Sequence, residues 1–415
     1  MYGLNRILTV ILQRKGSSFL YALPYIYYMR KFLFIYLWII AMLPLRAFSA
    51  EEVRFSILTC APGTEIYALF GHSALRYENP SKGQDWVFNY GMFSFSEPNF
   101  VMRFLKGETD YHLGVIPYRY FEAEYAMRGS SVYQQVLNLT DQEKERLIRL
   151  LETNYLPANR VYRYNYFYDN CTTRARDKVE ECLEGKVVYP KHEKAVTFRD
   201  IIHEYTAGSP WNELGIDLCL GSEADLPIDE RKQMFAPFYF WEAAKGAMIH
   251  RTDTVVPFVR EERKVVDVTR DDDSSFPLSP MVCAFGLLVL TGGMVCWGIK
   301  RGKMCWVWDA LLFGAQGLGG CVIAFLFFFS LHPTVGSNWM ILLFNPIPLL
   351  YLPVMIAKAR KGTKDLYHWM NVVYLTSFII LMPFIPQEFN ATVLPLALNW
   401  LLASAGHVYI DYRKH

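Results

Sequence analysis

Five apolar stretches in the last third of the chain limit its possible folds more than any other feature. They cover residues 281–299, 306–330, 339–357, 367–385 and 391–409. Each approaches the ~20 residues that a helix needs to cross a bilayer. The sequence therefore predicts an all-α polytopic membrane domain of about five transmembrane helices over residues 281–415.

Basic residues between these stretches predict their orientation. The loops 332–338 and 386–390 contain no Lys or Arg. Nine basic residues follow the first, third and fifth stretches instead: Lys300, Arg301, Lys303, Lys358, Arg360, Lys361, Lys364, Arg413 and Lys414. Basic loops stay in the cytoplasm. With five spans, everything before residue 280 is therefore expected outside the cytoplasm, and the C-terminus inside it.

The N-terminal region agrees with that orientation. Residues 29–50 have the order of a secretory signal peptide, with Arg30 and Lys31, an apolar run over 32–43, and then AFSA at 47–50. An uncleaved anchor helix is the alternative, although Pro44 and Arg46 interrupt the run. Because Met29 would start such a signal in the usual way, residues 1–28 are interpreted as a start-site over-extension.

Residues 51–262 have the length of one domain, and the charged residues 263–280 are interpreted as a linker. Short β-rich runs predict strands over 53–58, 73–77, 86–91, 111–116 and 131–139. Thr140 and Glu143 then form a capping signal ahead of an amphipathic helix. The predicted class of this extracytoplasmic domain is α+β.

Two motifs within this domain carry residues suited to catalysis. FGHSALR at 70–76 places His72 after a glycine at the start of a strand, where its ring can project from the sheet edge. YNYFYDNCTTR at 164–174 places Cys171 in the first turn of a helix, where free N–H groups and the helix dipole stabilise a thiolate. With a histidine to accept its proton, this cysteine has the minimum parts for acyl transfer.

The alternative for these cysteines is a structural one. Cys60, Cys171, Cys182 and Cys219 precede the membrane domain, and an even number in an oxidising compartment permits two disulfides. A bridge from Cys171 to Cys182 or Cys219 would fit a non-enzymatic sensor or scaffold. The sequence leaves both interpretations open.

The motifs also carry a family resemblance. GHSALRY and NYFYDNCTTR resemble the circularly permuted branch of the papain-like superfamily, which includes the lecithin:retinol acyltransferase group. Together with FNYGMF, SPWNELGIDLCLG, HPTVGSNW and the five spans, the chain resembles the Bacteroides-type lipoprotein N-acyltransferase family (Lnb). The resemblance implies a circularly permuted papain-like periplasmic domain at the inner membrane. It also implies transfer of an acyl chain from a phospholipid donor to the α-amino group of a diacylated lipoprotein acceptor.

The resemblance and the chemistry of acyl transfer suggest further site residues. Papain-like enzymes orient the imidazole with a third polar residue, and Asn89 is the candidate here, a turn-forming asparagine being the alternative. The Cys171 N–H would stabilise an oxyanion, with Tyr166 or Asn170 as a second donor. Arg174 would pair with lipid phosphate or form a structural salt bridge.

Other function classes receive less support. Lys and Arg number 42 against 40 Asp and Glu, so no global basic field favours nucleic acid. Because no Cys/His cluster has zinc spacing and no glycine-rich phosphate loop is present, no cofactor is expected. The enzyme alternative is a hydrolase with the same Cys171 and His72, either a phospholipase or a cell-wall amidase.

Overall fold

The computed structural model describes residues 32–33, 52–96, 98–191, 195–268 and 276–414. Apart from residues 32 and 33, the predicted signal peptide and the segment before it lie outside the described residues. Residues 269–275 of the predicted linker lie outside them as well.

The N-terminal half is built on an antiparallel seven-stranded sheet with two smaller sheets beside it. The strands are β1 Arg54–Cys60, β2 His72–Asn79, β3 Gln84–Met92, β4 Asp110–Pro117, β5 Val132–Leu137, β6 Val161–Arg163, β7 Lys186–Val188, β8 Val196–Thr197, β9 Pro227–Ile228, β10 Met248–His250, β11 Val255–Pro257 and β12 Val259–Val266. The large sheet has the order β12-β5-β1-β2-β3-β4-β6. β11, β10 and β7 form the second sheet, and β8 pairs with β9. Strands form at all five predicted positions.

Eight helices of the described chain accompany these strands. They are α1 Phe100–Lys106, α2 Tyr118–Met127, α3 Asp141–Tyr155, α4 Cys171–Cys182, α5 Phe198–Thr206, α6 Pro210–Cys219, α7 Glu230–Gln233 and α8 Pro237–Gly246. Thr140 and Glu143 make the predicted capping box at the start of α3. Leu147 of α3 and Val179 of α4 are fully buried in one core with Ile57 and Leu75 of the sheet. This core fixes α4, and with it Cys171, against the strands β2 and β3. The α+β class is confirmed.

The sheet continues past the predicted domain boundary. β12 pairs with β5 along Val259–Val266, so residues 263–266, which the charge pattern predicts to be linker, lie in a strand. The strand is at the edge of the sheet, and most of its side chains are exposed. Charged residues on an exposed edge strand are usual because they discourage pairing with other chains. That composition makes the strand resemble a linker in the sequence.

The C-terminal half contains five helical segments long and apolar enough to cross a membrane, as predicted. Four are continuous helices: α9 Pro280–Arg301, α10 Trp306–Phe329, α12 Leu366–Leu381 and α13 Val393–Lys414. The third span is broken, with a 3-10 turn at Trp339–Leu342 before helix α11 Ile347–Lys361. Pro346 and Pro348 flank the start of α11, where the missing N–H of proline favours such a break.

The two halves contact each other through the loops that lack basic residues. Asn338 donates to the Leu218 carbonyl over 2.8 Å, and Asn390 donates to the Asp217 carboxylate over 3.0 Å. On the opposite side, Lys303 donates to the carbonyl of Arg360, which joins two of the basic loops. The N-terminal domain therefore lies at the end of the helices away from the basic residues.

This arrangement yields a prediction for the C-terminus. An alkaline phosphatase fused after residue 414 should be inactive, and the same reporter fused after residue 268 should be active, because the phosphatase folds only outside the cytoplasm. A fluorescent protein at the C-terminus should give the reciprocal result. An active C-terminal phosphatase would show that the positive-inside rule fails for this chain.

Candidate active site

Cys171 is the first residue of α4, in the first helical turn that the sequence predicts for it. The side-chain oxygen of Asn170 accepts hydrogen bonds from the backbone N–H groups of Thr172 and Thr173, each over 2.9 Å. Thr173 completes a reciprocal capping box by accepting from the Asn170 N–H over 2.8 Å. These bonds fix the start of the helix. The Cys171 N–H has no carbonyl within the helix to bind, as in any first turn.

His72 begins β2 and depends on the glycine before it. Gly71 has a φ of +76°, and a Cβ at this position would lie 2.4 Å from the Cys60 carbonyl oxygen. Only glycine tolerates both that φ and that approach. In the sheet register His72 lies opposite Cys60. The tight turn therefore sets the position from which the imidazole projects.

Gly71→Ala should consequently displace His72. The rate of any reaction that uses this imidazole should then fall by ~100-fold, as expected when a reacting group is misplaced. Gly83→Ala is the matched control, because Gly83 also has a positive φ of +61° but nothing lies within 4 Å of the point that its Cβ would occupy. Both variants share the backbone strain, and only the first has the clash. Equal activity of the two variants would show that the Gly71 turn does not position His72.

The imidazole of His72 lies between Cys171 and Asn89. Its Nε2–H donates to the Asn89 side-chain oxygen over 2.5 Å, and the ring hydrogen-bonds the Cys171 thiol. Because Nε2 is bound to Asn89, Nδ1 is the nitrogen available to the sulfur. The β3–β4 register shifts between Asn89 and Met92, and in that shift Gly91 takes a φ of +87°. A Cβ on Gly91 would lie 3.5 Å from that of Cys171, so β3 passes close to both residues.

The electrostatics of the site favour a thiolate. Burial alone would raise the Cys171 pKa, but the charge and hydrogen bond of His72, with the Ser73 N–H and the Thr172 hydroxyl, lower that pKa to about 7. Burial opposes the charged form of His72 too, yet the negative charge of Cys171 and the bonds to Cys171 and Asn89 raise the imidazole pKa. Each group thus stabilises the charged form of the other. A thiol with a lowered pKa beside a protonated imidazole has the chemistry that a sulfur nucleophile and a proton donor require.

The other cysteines have a different character. All eight cysteines lie in the described part of the chain, and all are free thiols. Cys60 is fully buried, and burial raises its pKa well above the usual thiol value. Burial likewise raises the pKa of Cys182 to about 12 and that of Cys219 to about 11. Of these four thiols, Cys171 is the one with the lowered pKa, and it is not in a disulfide.

The two candidate oxyanion donors differ in availability. The Asn170 amide is fully used, because its oxygen caps α4 and its nitrogen donates to the carbonyls of Tyr166 and Phe235 over 2.8 and 2.9 Å. The Tyr166 hydroxyl is buried and has no hydrogen-bond partner among the described residues. Burial raises the Tyr166 pKa well above its ordinary value, so the hydroxyl keeps its proton. Of the two side chains, Tyr166 is the one with a free donor.

Arg174 is held by its own neighbours. Its guanidinium makes two hydrogen bonds of 2.6 and 2.7 Å to the Asp169 carboxylate and lies 3.6 Å from the centre of the Tyr162 ring. Arg174 therefore forms a structural salt bridge, one of the two roles expected for it.

Three contacts of the site are not predicted from the sequence. The Ser73 backbone N–H donates to the Cys171 sulfur, and Thr172 bridges the two motifs by donating to the Ser73 hydroxyl over 3.1 Å. Tyr125 lies parallel to the His72 ring at 6.4 Å between centroids. Ser73 directly follows His72, and Thr172 directly follows Cys171. The two sequence motifs therefore already contain the residues that make these contacts. Nothing in the sequence connects Tyr125 of α2 to His72.

One group in the described part of the chain has donors that could surround a cation. His203, Glu213 and Asp217 offer ligand atoms within 4.8 Å of one another. Asp217, however, already accepts a 2.7 Å ion pair from buried Arg199 as well as the bond from Asn390. The negative charge of Asp217 is therefore already compensated by Arg199, and its carboxylate takes part in the contact between the two halves of the chain.

The fold and the site define a membrane protein with five membrane-capable helices and an α+β domain that holds a Cys–His pair. Two family models cover the two halves. Residues 42–204 match the Lnb N-terminal periplasmic domain, and residues 271–415 match the Lnb transmembrane domain. The chain belongs to the Lnb family, and the predicted resemblance is confirmed. No curated protein and no solved structure matches the chain.

Membership of this family has direct consequences. The protein is a multi-pass membrane protein whose N-terminal domain is periplasmic. The family places it in lipoprotein processing.

Proposed function

We propose that this protein is a lipoprotein N-acyltransferase, which moves a fatty acyl chain from a phospholipid to the α-amino group of a lipoprotein's diacylglyceryl cysteine. The acyl chain would pass through a thioester on Cys171. The observation that carries the proposal is the Cys171 thiol, whose pKa is lowered to about 7 beside His72 in a protein of a lipoprotein-processing family. Asn89 would act as a positioning residue by holding the imidazole through Nε2.

In the first half-reaction, the Cys171 thiolate attacks the carbonyl carbon of a phospholipid ester. The oxyanion that forms would accept hydrogen bonds from the Cys171 N–H, which has no acceptor within its helix, and from the Tyr166 hydroxyl, which has no hydrogen-bond partner among the described residues. The C–O bond of the ester then breaks. His72 gives its Nδ1 proton to the departing oxygen, so a lysophospholipid leaves and the C–S bond of the thioester remains.

In the second half-reaction, the unprotonated amine of the lipoprotein attacks the thioester carbon. The new C–N bond forms and the C–S bond breaks, which returns the thiolate to Cys171. Neutral His72 accepts the proton that the amine loses, and the starting ion pair is restored. All the groups in both steps belong to this chain or to its two substrates.

The rival functions use the same geometry differently. A hydrolase would pass the acyl group to water instead of an amine. The contacts of the periplasmic domain with the outer loops favour a lipid substrate over the cell wall, because they hold the domain at the membrane surface. A scaffold with a bridged Cys171 has no support, since that thiol is free.

The proposal can be tested with the full-length protein in vesicles. A phospholipid labelled in its acyl chain should pass label to a synthetic diacylated lipopeptide with a free N-terminal amine. Acetylating that amine beforehand should block the transfer, because the acetylated nitrogen is not nucleophilic. Release of labelled free fatty acid as the main product, at a rate that the lipopeptide does not change, would identify a hydrolase instead.

A further inference from the structure

A row of aromatic rings runs along the periplasmic domain next to the catalytic cysteine. Phe93 follows β3 directly, Phe95 lies in the loop after it, and Phe100 and Phe104 lie on α1. Phe93 is 5.8 Å from Phe100, Phe100 is 6.1 Å from Phe104, and Phe95 is 4.9 Å from Phe93, all between ring centroids. We refer to these four side chains as the aromatic track. No step of the proposed reaction uses them.

One end of the aromatic track lies at the site. Phe93 is two residues beyond Gly91, the residue that approaches both Cys171 and His72. Its ring is 4.9 Å from that of Tyr111, which in turn stacks on Tyr164 at 4.1 Å. Burial and the negative charge of nearby Cys171 raise the Tyr111 pKa to about 12. The inner end of the track therefore follows directly on the strand that approaches Cys171, and Phe93 and Cys171 pack against the same core.

The other end meets the membrane domain. The Leu331 N–H donates to the Lys106 carbonyl over 2.8 Å, and His332 Nε2 donates to the Phe104 carbonyl over 2.6 Å. Both bonds join α1 to the outer end of the second span, and the rings of Phe104 and His332 are 5.5 Å apart. Phe329, the last residue of that span, is 66% exposed, as expected of a side chain that faces lipid. Helix α1 is thus placed where the outer leaflet ends.

The surface at α1 is unusually apolar. Phe95 is 64% exposed, Val101 70%, Met102 51% and Phe104 46%. Several large apolar side chains exposed together usually mark a binding surface. The contact of α1 with a transmembrane helix makes lipid the partner that this surface meets first.

We propose that the acyl chain of the donor phospholipid leaves the outer leaflet of the membrane at α1 and lies along the aromatic track, with its ester at Cys171. This inference rests on the proposed function and adds the binding site of the donor. A long acyl chain would gain apolar contacts along the whole track, whereas a short one would reach only its inner end. The track would therefore contribute to the use of long-chain, membrane-held donors.

The test compares two donors and matched variants of the full-length protein. Val101→Asp places a charge on the exposed face of α1, and Phe95→Ser removes one exposed ring. Val255→Asp is the control, because Val255 is 54% exposed on the separate small sheet. The donors are dipalmitoyl phosphatidylethanolamine in vesicles and soluble dihexanoyl phosphatidylcholine, with the same diacylated lipopeptide as acceptor.

The two α1-side variants should lose ~10-fold or more of their rate with the dipalmitoyl donor, and less than ~2-fold with the dihexanoyl donor. The control should match the wild type with both. An equal loss with both donors would overturn the inference. It would show that α1 and the aromatic track support the structure of the catalytic site and do not bind the acyl chain of the donor. An unchanged rate with the long-chain donor would overturn it too.

A binding measurement separates this inference from the proposed function. In the Cys171→Ala protein, a phosphatidylcholine with a diazirine in its acyl chain should crosslink to peptides within residues 93–106, and Val101→Asp should reduce that label. Crosslinks confined to the transmembrane helices would contradict the aromatic track as the binding site. A wild type that labels residues 93–106 but never acylates the lipopeptide would contradict the proposed function alone.

Discussion

Replacing Cys171 with serine or alanine should abolish acyl transfer, with a loss on the order of a thousand-fold or more. The His72 charge stabilises a thiolate but cannot ionise a serine hydroxyl, whose pKa is far higher. Cys171 is only partly buried at the border of the core, and serine and alanine are no larger than cysteine, so both variants should be produced in normal amounts. The measurement is label transfer from phospholipid to lipopeptide at equal protein concentration, with circular dichroism to verify folding.

Two other cysteines are the controls for this prediction. Cys182 is buried, and its thiol donates to the Val179 carbonyl over 3.0 Å, a bond that a serine can also make. Cys182→Ser should therefore remain active. Cys60 lies opposite His72 and is the nearest competitor for the nucleophile, but its pKa is raised by burial. An inactive Cys60→Ser variant together with an active Cys171→Ser variant would show that Cys60, and not Cys171, is the nucleophile.

Replacing His72 with glutamine should reduce the rate by ~100-fold to ~10,000-fold, the usual contribution of a positioned acid and base. Glutamine fills similar space and can still hydrogen-bond, but it carries no charge and transfers no proton. Folding should therefore be preserved while both half-reactions slow. Asn89→Ala, which keeps the base and removes only its hydrogen-bond partner, should cost less than His72→Gln.

The pH dependence distinguishes an activated pair from a structural contact. In the wild type the rate of the first half-reaction should rise with pH through about 7, because the thiolate forms as the Cys171 proton is lost. Without the His72 cation, the effect of burial dominates and the pKa of the Cys171 thiol rises. In His72→Gln, the pH range over which the rate increases should therefore shift to higher pH. If the rate of this variant increases over the same pH range as that of the wild type, His72 does not lower the Cys171 pKa.

The sequence predicts those parts of the fold that depend on local pattern. Apolar length and the positions of basic residues indicate the five spans, and Asn170 before Cys171 indicates a helix start through its capping preference. The five strands follow from short β-rich runs. These features need no knowledge of distant contacts.

Other parts depend on contacts between distant residues. The bond of Asn89 to His72 requires the register of β2 and β3 and the irregularity at Gly91, which no local pattern specifies. The aromatic track likewise assembles from a strand end, a loop and a helix. The capping preference of asparagine predicts the start of α4. It also explains why the Asn170 side chain, which caps this helix, has no free donor for an oxyanion.

The most direct test of the proposed reaction is to trap its intermediate. Full-length protein incubated with phospholipid and no acceptor should gain the mass of one acyl chain on the peptide that contains Cys171, and hydroxylamine should remove it, as expected of a thioester. Adding the diacylated lipopeptide should discharge the adduct into an N-acylated product. Label transfer without an adduct on Cys171, or an adduct that the lipopeptide cannot discharge, would contradict acyl transfer through this cysteine.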